Sequence, residues 1–201
     1  MKKVPLSFYQ RKDVVQIARE LLGKIVVTRF DENITSGRIV ETEAYAAITD
    51  KASHSFGGKR TPRNEHMYSP AGTAYIYICY GMHQMLNIVT NEKEIPDAVL
   101  IRAIEPLEGI TIMGARTGKK ERDGTITRGP GNVGKALGIF KHHSGLFLLD
   151  DEIYLLDDNI NFSDEQVGIS KRIGVESAGA DSQLPYRFYV KGNKFVSGRN
   201  S

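Results

Sequence analysis

Glu41, Glu43 and Tyr45 occupy alternate positions in the run Ile39-Val40-Glu41-Thr42-Glu43-Ala44-Tyr45. Alternate residues of a strand share a face, so the spacing predicts two carboxylates and a phenol side by side on an otherwise apolar strand. A glutamate with the ordinary pKa of about 4.3 is ionised at neutral pH, the state a general base needs. The competing reading is an exposed face on which both glutamates pair with lysines or arginines. A second cluster, Tyr75-Ile76-Tyr77-Ile78-Cys79-Tyr80-Gly81-Met82, puts Tyr75 and Tyr77 on one strand face and Tyr80 beside a turn. Such stripes serve cross-strand packing. An aromatic at an exposed turn near basic loops also suits stacking on nucleic-acid bases.

Other patterns carry less chemistry. Gly129-Pro130-Gly131-Asn132-Val133-Gly134 has the GxGxxG spacing, but the dinucleotide fingerprint follows a buried strand, and residues 123–128 are polar. Read as a phosphate loop, the same stretch fails at Ala136, where a magnesium-binding Ser or Thr belongs. What remains is a helix start that either holds one phosphate on its free N–H groups or merely begins a helix. The five histidines form no HExxH pattern, and the lone Cys79 excludes an intrachain disulfide and any two-cysteine metal motif. Glu43, His54 and His83 come nearest to a metal set; no metal and no cofactor is expected.

Positioning these groups falls to a small set of elements. Asp13, then Gln16, then apolar Val14, Ile17, Ala18, Leu21 and Leu22 closed by Gly23, predict an amphipathic helix. Runs 24–30 and 34–45 around Asp31-Glu32-Asn33 predict an antiparallel pair, and 74–80 with 85–90 around Gly81 a hairpin. A strand is expected over 98–104, then a helix over 105–116 with Pro106 in its first turn. A further helix runs from near Pro130 to Gly138, with late strands at 152–156 and 186–190. Strands mostly follow strands, so the fold class is α+β: a single mixed domain over residues 1–201 with an antiparallel sheet. The polar, basic stretch 46–72 is long for a structureless loop, which marks it as functional.

Charge is unevenly spread. Net charge is only +3, yet residues 51–72 carry Lys51, Lys59, Arg60 and Arg63 against Glu65, and residues 116–135 carry six bases against two acids. Residues 150–165 carry seven acids and no base. The asymmetry fits one face that meets phosphate, or solvated loops of mixed sign. No apolar segment follows Lys2 and Lys3, and the longest apolar run, 74–80, is far below the roughly 20 residues that span a bilayer. A cytoplasmic protein with no membrane partner is expected.

Several strings occur together: Gly37-Arg38-Ile39-Val40-Glu41-Thr42-Glu43-Ala44-Tyr45, His54-Ser55-Phe56-Gly57-Gly58, Thr61-Pro62-Arg63-Asn64, the tyrosine cluster, Asn87, and Leu100-Ile101-Arg102-Ala103-Ile104-Glu105-Pro106-Leu107-Glu108-Gly109. With Arg187-Phe188-Tyr189-Val190 and Phe195-Val196-Ser197, the chain resembles the alkyladenine family of 3-methyladenine DNA glycosylases from about Phe8 to Ser197. The resemblance implies a curved antiparallel sheet with surrounding helices and a protruding hairpin. It implies release of alkylated or deaminated purines, flipped out of damaged double-stranded DNA, in base excision repair. Glu43 would activate water and Arg102 help position it. Tyr45, His54 and Tyr77 would sandwich the base, Asn87 crowd the 2-amino group of guanine, and Tyr80 enter the duplex. Lys59, Arg60, Thr61, Met82 and His83 are expected at the DNA backbone, His83 standing where relatives can carry a tyrosine. A monomer acting without a lyase step is expected, as is little effect of Glu41→Gln beside Glu43→Gln. The alternatives are a lesion-binding protein of the same fold that does not cut, and a metal-dependent nucleotide hydrolase.

Overall fold

The computed structural model describes residues 1–198. Nine strands form one antiparallel sheet among these residues: β1 (Lys2–Lys3), β2 (Ile25–Phe30), β3 (Asn33–Tyr45), β4 (Ala74–Cys79), β5 (His83–Thr90), β6 (Asp97–Glu108), β7 (Ile153–Asp157), β8 (Val167–Ser170) and β9 (Arg187–Val190). The order is β1-β7-β2-β3-β6-β5-β4. β2 covers only the first half of the β3 edge, pairing Asn33 through Arg38, and β9 takes Glu41 to Glu43 of that same strand. The central strand is therefore enclosed on both sides where its carboxylates lie. The fold is α+β in one domain, as the order of strands predicts.

Among the described residues four α-helices, besides short 3-10 turns, accompany the sheet: α1 (Leu6–Tyr9), α2 (Val14–Glu20), α3 (Ile110–Thr117) and α4 (Pro130–Leu137). The Asp13 side chain caps α2 by accepting from the Gln16 N–H, and Val14, Ile17 and Ala18 are buried. Ile17 is fully enclosed, a burial that stabilises by roughly 1.5–3 kcal/mol. Among the described residues no helix is long and apolar enough to cross a membrane.

One boundary differs from the sequence reading. Residues 105–108 continue β6 rather than open a helix, and Pro106 lies opposite Gly37 at a register irregularity. A bulge leaves a backbone group unpaired, which is where a strand tolerates proline. The helix begins only at Ile110, after Gly109 at φ 72°, where a Cβ would lie 2.4 Å from the Ile34 carbonyl oxygen. β1, β8 and α1, none of them expected, are too short to show a periodicity.

The β4–β5 hairpin turns at Tyr80 and Gly81, with φ of 50° and 71°, and the Met82 N–H donates to the Cys79 carbonyl at 3.2 Å. The glycine takes this conformation freely, whereas the tyrosine does so at a cost. Behind the hairpin, α4 packs on β5 so closely that a Cβ on Gly134 would lie 2.0 Å from the Gln84 carbonyl oxygen. The glycine-rich run thus meets a packing demand: Gly131 likewise faces the His83 ring.

Candidate active site

Glu41 and Glu43 are both fully buried, and both converge on the Arg102 guanidinium. This overturns the exposed-face reading of the strand. Their convergence follows from β3 and β6 running side by side, with Glu43 opposite Leu100 and Glu41 opposite Ala103 across irregular register. The Glu43 carboxylate accepts from the Tyr45 hydroxyl at 2.8 Å and from the Ile173 N–H at 2.8 Å, and Arg102 Nη1 stands 3.3 Å away. Three donors face a group with about four acceptor directions, so acceptor capacity remains for one water. Burial pushes the Glu43 pKa up, opposed by Arg102, the Ile173 N–H and Tyr45. Burial and the Glu43 charge also raise the Tyr45 pKa, so the phenol keeps its proton and donates.

Tyr45, Arg102 and Ile173 line a cavity of about 420 Å³, with Glu43 directly behind them. His54, Tyr75, Tyr77, Tyr80 and Asn87 line the same space. His54 Nδ1 is 2.8 Å from the Tyr75 hydroxyl, and its ring meets the Tyr77 ring edge-on, centroids 4.5 Å apart at 78°. Burial, with Arg63 and Lys59 nearby, lowers the His54 pKa to about 4, so the ring is neutral at physiological pH. Burial pushes Tyr77 up to about 12. Asn87 donates both amide hydrogens to backbone carbonyls, of Tyr75 at 3.2 Å and Met85 at 3.1 Å. What Asn87 can present to a group in the cavity is therefore its oxygen, an acceptor.

At the hairpin tip, Tyr80 is 88% exposed and Met82 70%, and His83 is exposed beside them. In the long loop Lys59 is exposed, while Arg60 is ion-paired to both Glu65 and Glu94 and lies over the Tyr68 ring. Thr61 turns inward, its N–H and hydroxyl both donating to Asn64 Oδ1. Arg63, over the Tyr77 ring, lines the cavity in the position that sequence reading did not assign to it. Among the described residues no group of three or more His, Cys, Asp and Glu side chains could hold a metal ion, and Glu43, His54 and His83 do not converge.

Four supporting residues were given no role by the sequence reading, although Arg187 and Ser197 stand in strings that carry the resemblance. Arg187 and Ser197 meet Glu41, and Arg172 pairs with Asp50 while lying over the Tyr45 and Tyr186 rings. Arg172 also donates to the Ala44 and Asp181 carbonyls, which fixes the approach of Ile173 to Glu43. The Asp50–Arg172 pair spans 122 residues and the Glu41–Arg187 pair 146, so no local pattern announces either.

The profile of the methylpurine-DNA glycosylase family matches residues 7–194. The chain belongs to that family. Relatives described as "Putative 3-methyladenine DNA glycosylase" match it along nearly their whole lengths. One from Desulfitobacterium hafniense is 42% identical, over 98% of this chain and 99% of the relative. One from Clostridium perfringens strain 13 is 44% identical, over 95% and 97%, and one from Bacillus subtilis 40%, over 96% of each. Residues 7–194 of this methylpurine-DNA glycosylase family member include every cavity-lining group named above, and stop short of Ser197.

Proposed function

We propose that this protein is a monofunctional DNA glycosylase that hydrolyses the N-glycosidic bond of alkylated or deaminated purines, 3-methyladenine, 7-methylguanine, hypoxanthine and ethenoadenine among them, after flipping them from duplex DNA. The observation that carries the reading is a buried carboxylate, Glu43, set behind a cavity walled by Tyr45, His54, Tyr77 and Arg102. A base inside a duplex is out of reach, so its nucleotide must rotate out, at a cost of a few kcal/mol. Tyr80, exposed and strained at the hairpin tip, is the side chain that fills the vacated stack. A cationic alkylated purine gains further from electron-rich rings, by about 2 kcal/mol or more when desolvated.

In the bond-breaking step Glu43 takes a proton from water as the water oxygen attacks the sugar C1′ and the base departs with the electrons of the C1′–N bond. A cationic alkylated purine leaves neutral, and a neutral purine leaves as an anion that takes a proton from solvent. The developing positive charge on the sugar is stabilised by the same carboxylate. Arg102 Nη1 and the Tyr45 hydroxyl hold the carboxylate in place, and Arg102, itself at the cavity surface, orients the water. The protein works as a monomer in the cytoplasm, on chromosomal DNA.

Glu43→Gln tests the reading, since an amide cannot take the proton. Single-turnover release of hypoxanthine from a defined duplex should fall by at least about 10²–10⁴-fold while lesion-duplex affinity is retained. A near-normal rate would remove Glu43 as the base. Wild-type activity should survive EDTA, and borohydride should trap no protein–DNA adduct; Lys51 at the cavity wall is the amine that would form one under a lyase mechanism.

A further inference from the structure

Glu41 does not line the cavity, and yet it is fully buried and receives four hydrogen bonds. Its Oε1 accepts from Arg102 Nε at 3.0 Å, Arg187 Nε at 2.7 Å and the Ser197 hydroxyl at 2.9 Å, and its Oε2 from the Ser197 N–H at 2.7 Å. The register of β3 against β6 shifts on both sides of Glu41, so the strand departs from regular pairing at this residue. A buried ionic cluster is seldom worth more to stability than apolar residues of the same volume. Two carboxylates and two guanidiniums enclosed beside the cavity therefore point to a role other than holding the fold.

The division of the Arg102 fork supplies that role. Nε goes to Glu41 and Nη2 to the Ser197 hydroxyl at 3.3 Å, while the nearest approach to Glu43 is that of Nη1 at 3.3 Å, an ion pair without a hydrogen bond. An arginine left to itself beside a carboxylate prefers a bidentate grip with two parallel N–H···O bonds. Such a grip on Glu43 would occupy the acceptor capacity that a water needs. We propose that Glu41 is a positioning residue which, supported by Arg187 and Ser197, keeps Arg102 from a bidentate grip on Glu43 and so keeps Glu43 free to act. The inference rests on the reading of Glu43 as the base, and it reverses the expectation that Glu41→Gln has little effect.

The charged and titratable groups that face or act on Glu43 are Arg102 on β6, Arg187 on β9, Tyr77 on β4, Arg172 on the adjoining loop, and Tyr45 and Glu41 on its own strand. Removing the Glu41 charge takes a like charge from Glu43 and lets the Arg102 fork turn onto it. Both changes favour the ionised carboxylate. In Glu41→Gln the plateau rate of base release should fall about tenfold or more, about 1.4 kcal/mol or more of barrier. Lesion-duplex affinity should stay within about twofold, or roughly 0.4 kcal/mol. The acid limb of the pH–rate profile should move to lower pH, a shift that a merely structural role would not produce.

In an Arg102→Gln background the same substitution should add no further loss, because residues acting through one another are non-additive. A wild-type rate and acid limb in Glu41→Gln, or losses that multiply in the double variant, would overturn the proposal. Should Glu41→Gln not fold, Ser197→Ala removes one donor and should lower the plateau rate several-fold with affinity unchanged; an unchanged rate there also overturns it. The two readings fail separately. An active Glu43→Gln defeats the choice of base, whereas an inactive Glu43→Gln beside a wild-type Glu41→Gln defeats only the positioning role.

Discussion

At the scale of single residues, the ionisation of Glu43 is a balance that burial wins. Its pKa is raised despite Arg102, the Ile173 N–H and the Tyr45 hydroxyl, so the carboxylate is held under electrostatic strain. A group whose pKa is raised on folding contributes stability that is present below its unfolded pKa and lost as pH rises through the folded one. Ionised Glu43 therefore costs stability once pH rises past its folded pKa. His54 has the opposite sign: its pKa falls to about 4, and the stability it contributes is lost as pH drops from its ordinary value near 6.5 toward 4. With Glu43 as the proposed base, activity needs its ionised form, so the single-turnover rate on a neutral lesion should fall as pH drops, with its midpoint above the ordinary carboxylate range. A midpoint within or below that range would mean that Arg102 and the two hydrogen bonds outweigh burial.

At the scale of elements, the hairpin owes its placement to α4. Gly134 lets the helix lie directly on the Gln84 backbone, so Gly134→Ala must push α4 and β5 apart. Overpacking of this kind costs about 1–3 kcal/mol. For a domain of this size each kcal/mol lowers Tm by roughly 2–4 °C. Lesion-duplex affinity should fall as well, because Tyr80 rides on the displaced hairpin. Gly124→Ala, whose Cβ would meet nothing nearer than 3.5 Å, is the control and should leave both unchanged; equal effects would remove α4 as the support.

The regular elements were legible where a side-chain period ran long enough to be read. The α2 helix with its Asp13 cap, the β2–β3 pair and the β4–β5 hairpin all follow from local residues. Pro106 misled because proline suits a first helical turn, while the bulge opposite Gly37 that admits it into β6 depends on a partner strand. The alternation of Glu41, Glu43 and Tyr45 showed which groups are neighbours. It could not show that they are buried, because that depends on β9 and the Ser197 segment closing over the β3 edge.

At the scale of the whole molecule, the sheet converts charge asymmetry along the chain into polarity in space. The β4–β5 hairpin ends one side of the strand order, whereas β7, within the acidic stretch, lies beyond β2 toward the other. Asp151, Asp157, Asp158 and Asp164 are paired there with Lys3, Lys24, Arg38 and Arg19, so much of that acidity is neutralised locally. The basic loop beside the cavity is not uniformly available either. Arg60 is committed to Glu65 and Glu94, whereas the Lys59 side chain is exposed on a backbone fixed by Asn64 and Tyr68 through its carbonyl. Each phosphate that a protein neutralises contributes about 0.9 to the slope of log affinity against log salt. Lys59→Gln should therefore weaken duplex binding and reduce that slope by about 0.9, measured by fluorescence anisotropy across a salt series. Arg60→Gln should leave the slope unchanged, because the lost cation was already neutralised within the protein. A slope that falls for Arg60→Gln and not for Lys59→Gln would show that DNA displaces Glu65 and Glu94, and would reassign the phosphate contact to Arg60.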